Sequence, residues 1–431
     1  MPYKRKELSH IMDKIRANLY DLIACISKAQ DLVSTKLSNH QPQVAYLSFR
    51  LAEHIGLPTE MRNDIFFAAL IHDIGALSSR ERLELVELEP INANNHGFRG
   101  AKLLEGFKPL QNAAGIIKYH HLPWNDGGGS SYMGEQVSLA SHIVHLADRT
   151  CALVSPKRNI ITQLPDIISV IRRLANSVFK PDLVEALSDL SEKEYIWLDL
   201  ISSDPGKRIL DTGMFNTMTL EIDDLVDLAS IFSHIIDFRS RFTARHSAGV
   251  AKTAEKLAKL VGFSPYECKM MLIAGYLHDL GKIAISDEIL EKPSKLNEDE
   301  YNVMRAHSYY TYYLLNPLRQ LRTIAKWASS HHEKLDGTGY PFHISGDSLS
   351  LGSRIMAVAD VFTAITENRP YRQGMDYEST KKILRDMVVS NALDKDVVDL
   401  LIDNFHEINS IREKSQIEAA RQYEDFLRSC G

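Results

Sequence analysis

The chain repeats itself, and that repeat limits what it can fold into more than any other feature. LAEHIGL at 51–57 matches LAKLVGF at 257–263, and AALIHDIG at 68–75 matches AGYLHDLG at 274–281, both at an offset of 206 residues. Further on, SLASHIVHLAD at 138–148 matches SLGSRIMAVAD at 350–360 at an offset of 212, the drift that a few loop insertions produce. Self-similarity of this kind marks a duplicated structural unit, so two homologous halves follow one another. The turn-rich string Ser202-Ser203-Asp204-Pro205-Gly206 marks the junction. It predicts domains over 1–205 and 215–431, with 206–214 as a linker. At about 150 residues per domain, 431 residues leave room for two sizeable cores.

Both halves read as all-α. Apolar residues recur at three and four, and the β-branched alternation of strands is scarce. Ser264-Pro265-Tyr266-Glu267 places a Ser cap, a Pro at the first helical position and a Glu at the third, a capping box that starts a helix running to His278. Asn297-Glu298-Asp299-Glu300 starts another that carries His307. The stretch from His331 onward and Lys292-Pro293 fall in loops.

Fifty basic and 56 acidic side chains leave a net charge of −6, which supplies no general field toward duplex DNA, RNA or anionic lipid. Four cysteines stand far apart (Cys25, Cys151, Cys268, Cys430), which excludes a disulfide framework and suits a reducing compartment. No apolar stretch reaches the length of about 18 that a membrane span needs. The expectation is a cytoplasmic protein without a membrane partner.

Histidine is the informative excess, at 17 residues. In the second half His246, His278, Asp279, His307, His331, His332 and Asp360 are candidate metal ligands. His40, His72, Asp73, His96, His120, His121 and Asp148 match them in the first half. His40 to His72 and His246 to His278 both span 32 positions, and His96 to His120 and His307 to His331 both span 24. Imidazole and carboxylate without thiolate suit borderline to hard divalent cations such as Fe, Mn or Zn. Seven ligands exceed one tetrahedral ion, and the adjacent His278-Asp279 pair lets one carboxylate bridge two. Two cations about 3.5–4 Å apart hold a bridging hydroxide and clamp both oxygens of an in-line displacement at phosphorus. The implied reaction is phosphodiester hydrolysis.

His278-Asp279-Leu280-Gly281-Lys282 followed by His331-His332-Glu333-Lys334-Leu335-Asp336-Gly337-Thr338-Gly339-Tyr340-Pro341 resembles the HD-GYP family, a branch of the HD phosphohydrolases. The likeness extends through Lys292-Pro293, Arg354-Ile355 and Arg369-Pro370-Tyr371-Arg372. It implies hydrolysis of bacterial cyclic dinucleotides, cyclic di-GMP or 3′3′-cyclic GMP-AMP, at an iron or manganese centre. By position, the seven second-half residues take the metal-ligand roles, with Asp279 and Lys282 catalytic and Lys282 reaching phosphate as a point charge. Gly337 and Gly339 permit positive φ and close backbone approach. Tyr340 and Pro341 shape a wall, and Arg369 and Arg372 clamp phosphate or purine.

Two departures bear on the site. Members with three metals carry Glu four residues before the first ligand histidine, where this chain has Phe242, so two divalent ions are expected in the second half. Thr311 stands where the family often has Gly. The first half keeps all seven ligand types, so it is a possible second metal site. It has Ala76 in place of the lysine and no GYP after His120-His121, which impairs phosphate recognition. It is expected to pack on the catalytic half and to stabilise or gate it. A non-catalytic scaffold for dinucleotide or protein partners and an HD nucleotidohydrolase are the competing readings. Signalling partners or a homodimer remain open.

Overall fold

The reciprocal capping boxes fall where the sequence places them. Ser264 and Glu267 open the helix Pro265–Leu277, whose C-cap is His278, and Asn297 and Glu300 open Glu298–Leu315. The structure, a computed structural model, describes residues 15–32, 39–87, 94–213, 218–239, 245–368 and 373–430. Phe242, Arg369 and Arg372 lie outside the described residues.

The architecture is all-α. Among the described residues the only strands are two-residue pairs, Ala17–Asn18 with Thr219–Leu220 and Ser131–Tyr132 with Glu135–Gln136, both antiparallel. The duplication is visible helix by helix. His40–His54, Thr59–Leu70, Asn94–Leu104, Gln111–Ile117 and Leu139–Ala152 in the first half correspond to His246–Val261, Pro265–Leu277, Glu298–Leu315, Arg322–Ser329 and Leu351–Thr366. In each half the first of these helices packs between the second and the last. Their apolar stripes bury Tyr46, Phe49 and Phe66 in the first half and Leu257, Ile355 and Phe362 in the second, all within one continuous core.

The turn after each His-Asp pair crosses the third helix without room for a side chain. A Cβ on Gly75 would sit 2.0 Å from the His96 carbonyl oxygen, and one on Gly281 would sit 2.0 Å from that of His307. Thr311 fills the second crossing. Its Oγ1 donates to the His278 carbonyl at 3.0 Å and accepts from the Gly281 N–H at 2.9 Å, pinning the turn to the helix that carries His307.

The halves touch through both terminal helices. Leu19–Asp31 packs on Thr59–Leu70 and also on Glu298–Leu315 and the turn Leu280–Ala284, with Cys25 Sγ donating to the Leu314 carbonyl at 3.4 Å. The C-terminal helix Phe405–Cys430 packs on His246–Val261 and on Asn94–Leu104. Of the segment 206–214, residues up to Asp211 belong to the helix Pro205–Asp211, which packs on His40–His54. No helix among the described residues is long and apolar enough to cross a membrane.

Candidate functional site

Helix ends and helix faces bring the second-half histidines together. His246 begins its helix, His278 and Asp279 end theirs, His331 and His332 follow the end of Arg322–Ser329, and His307 and Asp360 lie inside long helices. Three overlapping groups result, His307/His331/His332, His246/His278/Asp360 and His278/Asp279/His331, with donor atoms within 4.8 Å of one another in each. His278 and His331 each belong to two of these groups, and Asp279 stands in the group they share.

Hydrogen bonding fixes which imidazole nitrogen faces inward. Nδ1 of His278, His307 and His331 lies 2.7, 2.7 and 2.6 Å from the carbonyls of Gly275, Met304 and Ala328. A carbonyl only accepts, so each Nδ1 carries the proton and each Nε2 presents a lone pair when the ring is neutral. His307 Nε2 and His331 Nε2 then face each other at 3.3 Å. Burial pushes His307 down to about 3 and holds His331 well below the usual histidine range, so both rings are neutral. Two facing lone pairs repel unless a cation lies beside them, and this donor chemistry fits a divalent metal.

Carboxylates complete the set. Asp279 lies 3.3 Å from His278 Nε2 and 3.4 Å from His307 Nε2. Asp360 lies 3.2 Å from His246 Nε2 and 3.9 Å from His332 Nδ1. Lys282 Nζ donates to Asp279 Oδ2 at 2.6 Å. Burial works against the charge of Lys282, but Asp279 and Asp360 outweigh it and keep the ammonium protonated. One side of the centre is open, because the His332 side chain is 31% exposed while that of Asp279 is 5% exposed.

The loop beyond His332 walls that open side. The Tyr340 ring lies 4.8 Å from the His332 ring, and the Arg305 guanidinium lies over the same tyrosine, 4.8 Å from its ring centroid. The Tyr340–Pro341 peptide is cis. Gly337 takes φ +79°, whereas Gly339 takes no positive φ and is required for another reason. A Cβ there would lie 2.4 Å from Lys334 N. The close approach is therefore to the loop's own backbone. Glu333 accepts from the N–H groups of Phe342 and Ile344 at 2.6 and 3.1 Å and closes the loop on itself.

Sequence reasoning missed Glu367. Its carboxylate lies 3.1 Å from His246 Nδ1 and accepts from Gln416 Nε2 at 3.2 Å, and Arg412 Nη1 donates to Gln416 Oε1. All three are buried. Glu367, at the end of Leu351–Thr366, orients His246, and Gln416 and Arg412 back it from the C-terminal helix, as outer carboxylates orient metal-ligating imidazoles.

The first half assembles the same set. Asp73, His96, His120 and His121 form one group and His40, His72 and Asp73 another, with Asp148 Oδ1 3.0 Å from His40 Nε2. Around it the chemistry differs. Arg149 donates twice to Asp148 Oδ2, at 3.0 and 2.8 Å, and Gln41 donates to Asp73 at 3.4 Å.

Residues 37–153 and 230–397 each match the HD domain family. 3′3′-cGAMP-specific phosphodiesterase 1 of Vibrio cholerae serotype O1 is 34% identical over 397 residues, covering 90% of this chain and 92% of the relative. The cyclic di-GMP phosphodiesterase response regulator RpfG of Xanthomonas campestris pv. campestris is 40% identical over 146 residues, 33% of this chain and 39% of its own. A crystal structure of a cyclic GMP-AMP-specific phosphodiesterase of V. cholerae shares the fold, with a TM-score of 0.60 at 23% identity over 91% of this chain and 98% of that chain.

Proposed function

We propose that this chain, which belongs to the HD-GYP family of HD-domain phosphodiesterases, hydrolyses a phosphodiester bond of a bacterial cyclic dinucleotide in its second half. One observation carries the reading: the complete His/Asp set of that half is open on one side, beside Lys282 and the Tyr340 wall. The halves are taken as 1–205 and 215–431, joined by 206–214. His246, His278, Asp279, His307, His331, His332 and Asp360 hold two divalent ions, iron or manganese. When bound, these supply a nucleophile from water at neutral pH and positive charge at phosphorus.

The chain's own residues do the rest. Asp279 joins the two metal groups, and Lys282 holds a phosphate oxygen of the substrate as charge builds there. Thr311 keeps the His-Asp turn, and so Lys282, in place. Tyr340 lines the way in beside His332. Arg369 and Arg372 are candidate contacts to phosphate or base. Water adds across the phosphorus–oxygen bond, which leaves a linear product with one new phosphate end and one new hydroxyl. Likeness along nearly its whole length favours 3′3′-cyclic GMP-AMP over cyclic di-GMP as substrate.

The test is turnover of both dinucleotides by the full chain supplied anaerobically with Fe²⁺ or Mn²⁺. Asp279→Ala and His331→Ala should each abolish cleavage and lower the metal content. Metal-loaded protein that cleaves neither dinucleotide would overturn the reading.

A further inference from the structure

The first-half cluster is chemically complete and yet sealed. The side chains of His121 and Asp148 are each 1% exposed, against 31% and 12% for their counterparts His332 and Asp360. His145 stands where the second half has Ala357, and its ring lies 5.5 Å from that of His121. The loop after His121 is zipped down. The N–H groups of Trp124, Asn125 and Asp126 donate to the carbonyls of Val178, Ser177 and Asn176 at 2.9, 2.9 and 2.8 Å.

Inside, two of the converging donor atoms are left without a hydrogen bond. His72 Nε2 lies 3.2 Å from Asp73 Oδ2 and Asp73 Oδ1 lies 3.1 Å from His96 Nε2, yet neither His72 Nε2 nor Asp73 Oδ1 makes a hydrogen bond. His120 Nδ1 donates to the Ile117 carbonyl at 2.7 Å, so its neutral ring turns an Nε2 lone pair into the cluster, where it accepts from His96 Nε2 at 3.1 Å. Buried polar atoms left in this state require a partner. Charge sets the number of ions. Arg149 already neutralises Asp148, and the buried Arg82 guanidinium adds a second positive charge near Asp73. The second half has no arginine after Asp360, where Val361 stands, and adds Glu367.

We infer that the first half holds a single, closed, structural divalent cation of the zinc class on Asp73, His96, His120 and His121. Three imidazoles and a carboxylate supply four donors and leave no position for substrate, the hallmark of a structural site. The inference stands apart from the hydrolysis proposed for the second half.

The test uses the full chain with Asp279→Ala and His331→Ala, which strip the second centre. After loading with Zn²⁺ or Co²⁺ and passage over a chelating resin, about one ion per chain should remain, and the cobalt form should show the strong visible absorption of four-coordination. Adding His120→Ala should remove the ion, the absorption and several degrees of Tm. Where that variant fails to fold, His96→Gln serves for the same reading. No retained ion, about two, or an ion stripped by the resin would each overturn the inference.

Discussion

Lys282 separates the two halves more sharply than any of the clustered His and Asp side chains, because those are duplicated and the lysine is not. Lys282→Met should therefore leave the metal content unchanged and lower kcat by roughly 10²–10³-fold, the scale of one lost preorganised charge. Metal analysis beside steady-state rates checks it. Glu367→Gln should weaken metal binding about 10–100-fold, read by competition with a chromophoric chelator, since His246 loses a charged anchor. His142 is buried, donates to the Gly129 carbonyl at 3.1 Å, and is pushed by burial down to about 4. Between its ordinary value near 6.5 and 4, the unfolded chain binds a proton that the folded chain refuses. Its contribution is present above pH 6.5 and falls away as pH drops toward 4, by about 2–3 kcal/mol. His142→Gln keeps a donor and should flatten that part of the denaturation profile relative to wild type. The fourteen candidate ligand positions were legible because duplicated spacing singles them out. Glu367 was not, because its first-half equivalent at the 212 offset is Ser155 and the repeat carries no trace of it.

At the scale of elements, helix starts were readable from caps, but helix crossings were not. Gly281 reads in the sequence as part of a motif, and its physical reason appears only where the turn meets Glu298–Leu315. A methyl there collides with the His307 carbonyl oxygen, and also lies 2.7 Å from Thr311 N. Gly281→Ala must push the turn off the helix. It should cost about 1–3 kcal/mol by overpacking and shift His278 and Asp279 relative to His307. Thermal unfolding with and without Mn²⁺ should show a lower Tm and a smaller gain from the metal. A lower Tm with an unchanged gain would mean that the strain stays outside the centre. Thr311 explains itself at this scale too. Read along the chain it is only a Thr where the family often has Gly, whereas in space it is a hydrogen-bonded spacer under the His-Asp turn.

Across the whole molecule, one chain of contacts links the first half to Lys282. The Ser79 N–H donates to Asp287 Oδ2 at 2.7 Å, and Asp287 Oδ1 accepts from Arg239 Nη2 at 2.5 Å. Arg239 in turn donates to the carbonyls of Lys282 and Ile285, both at 2.9 Å. The duplication foretold two halves, but this contact lies off the repeat pattern and brings together residues some 200 positions apart. It makes the first half part of the scaffold that holds Lys282. Asp287→Ala leaves the Arg239 guanidinium, whose side chain is 2% exposed, without its carboxylate. The expected loss is on the order of 2–5 kcal/mol, because a buried charge is left unpaired. The rate should fall with the metal content intact, since the lysine's backbone loosens while the ligand set stays. Residues 215–431 alone lose more: the Ser79 donor, the helix Leu19–Asp31 against the Leu280–Ala284 turn, and the helix Asn94–Leu104 against the C-terminal helix. That fragment should unfold at lower denaturant and turn over more slowly than the full chain. If it matched the full chain in both, the first half would be a passenger, and the path from Ser79 to Lys282 would carry no coupling.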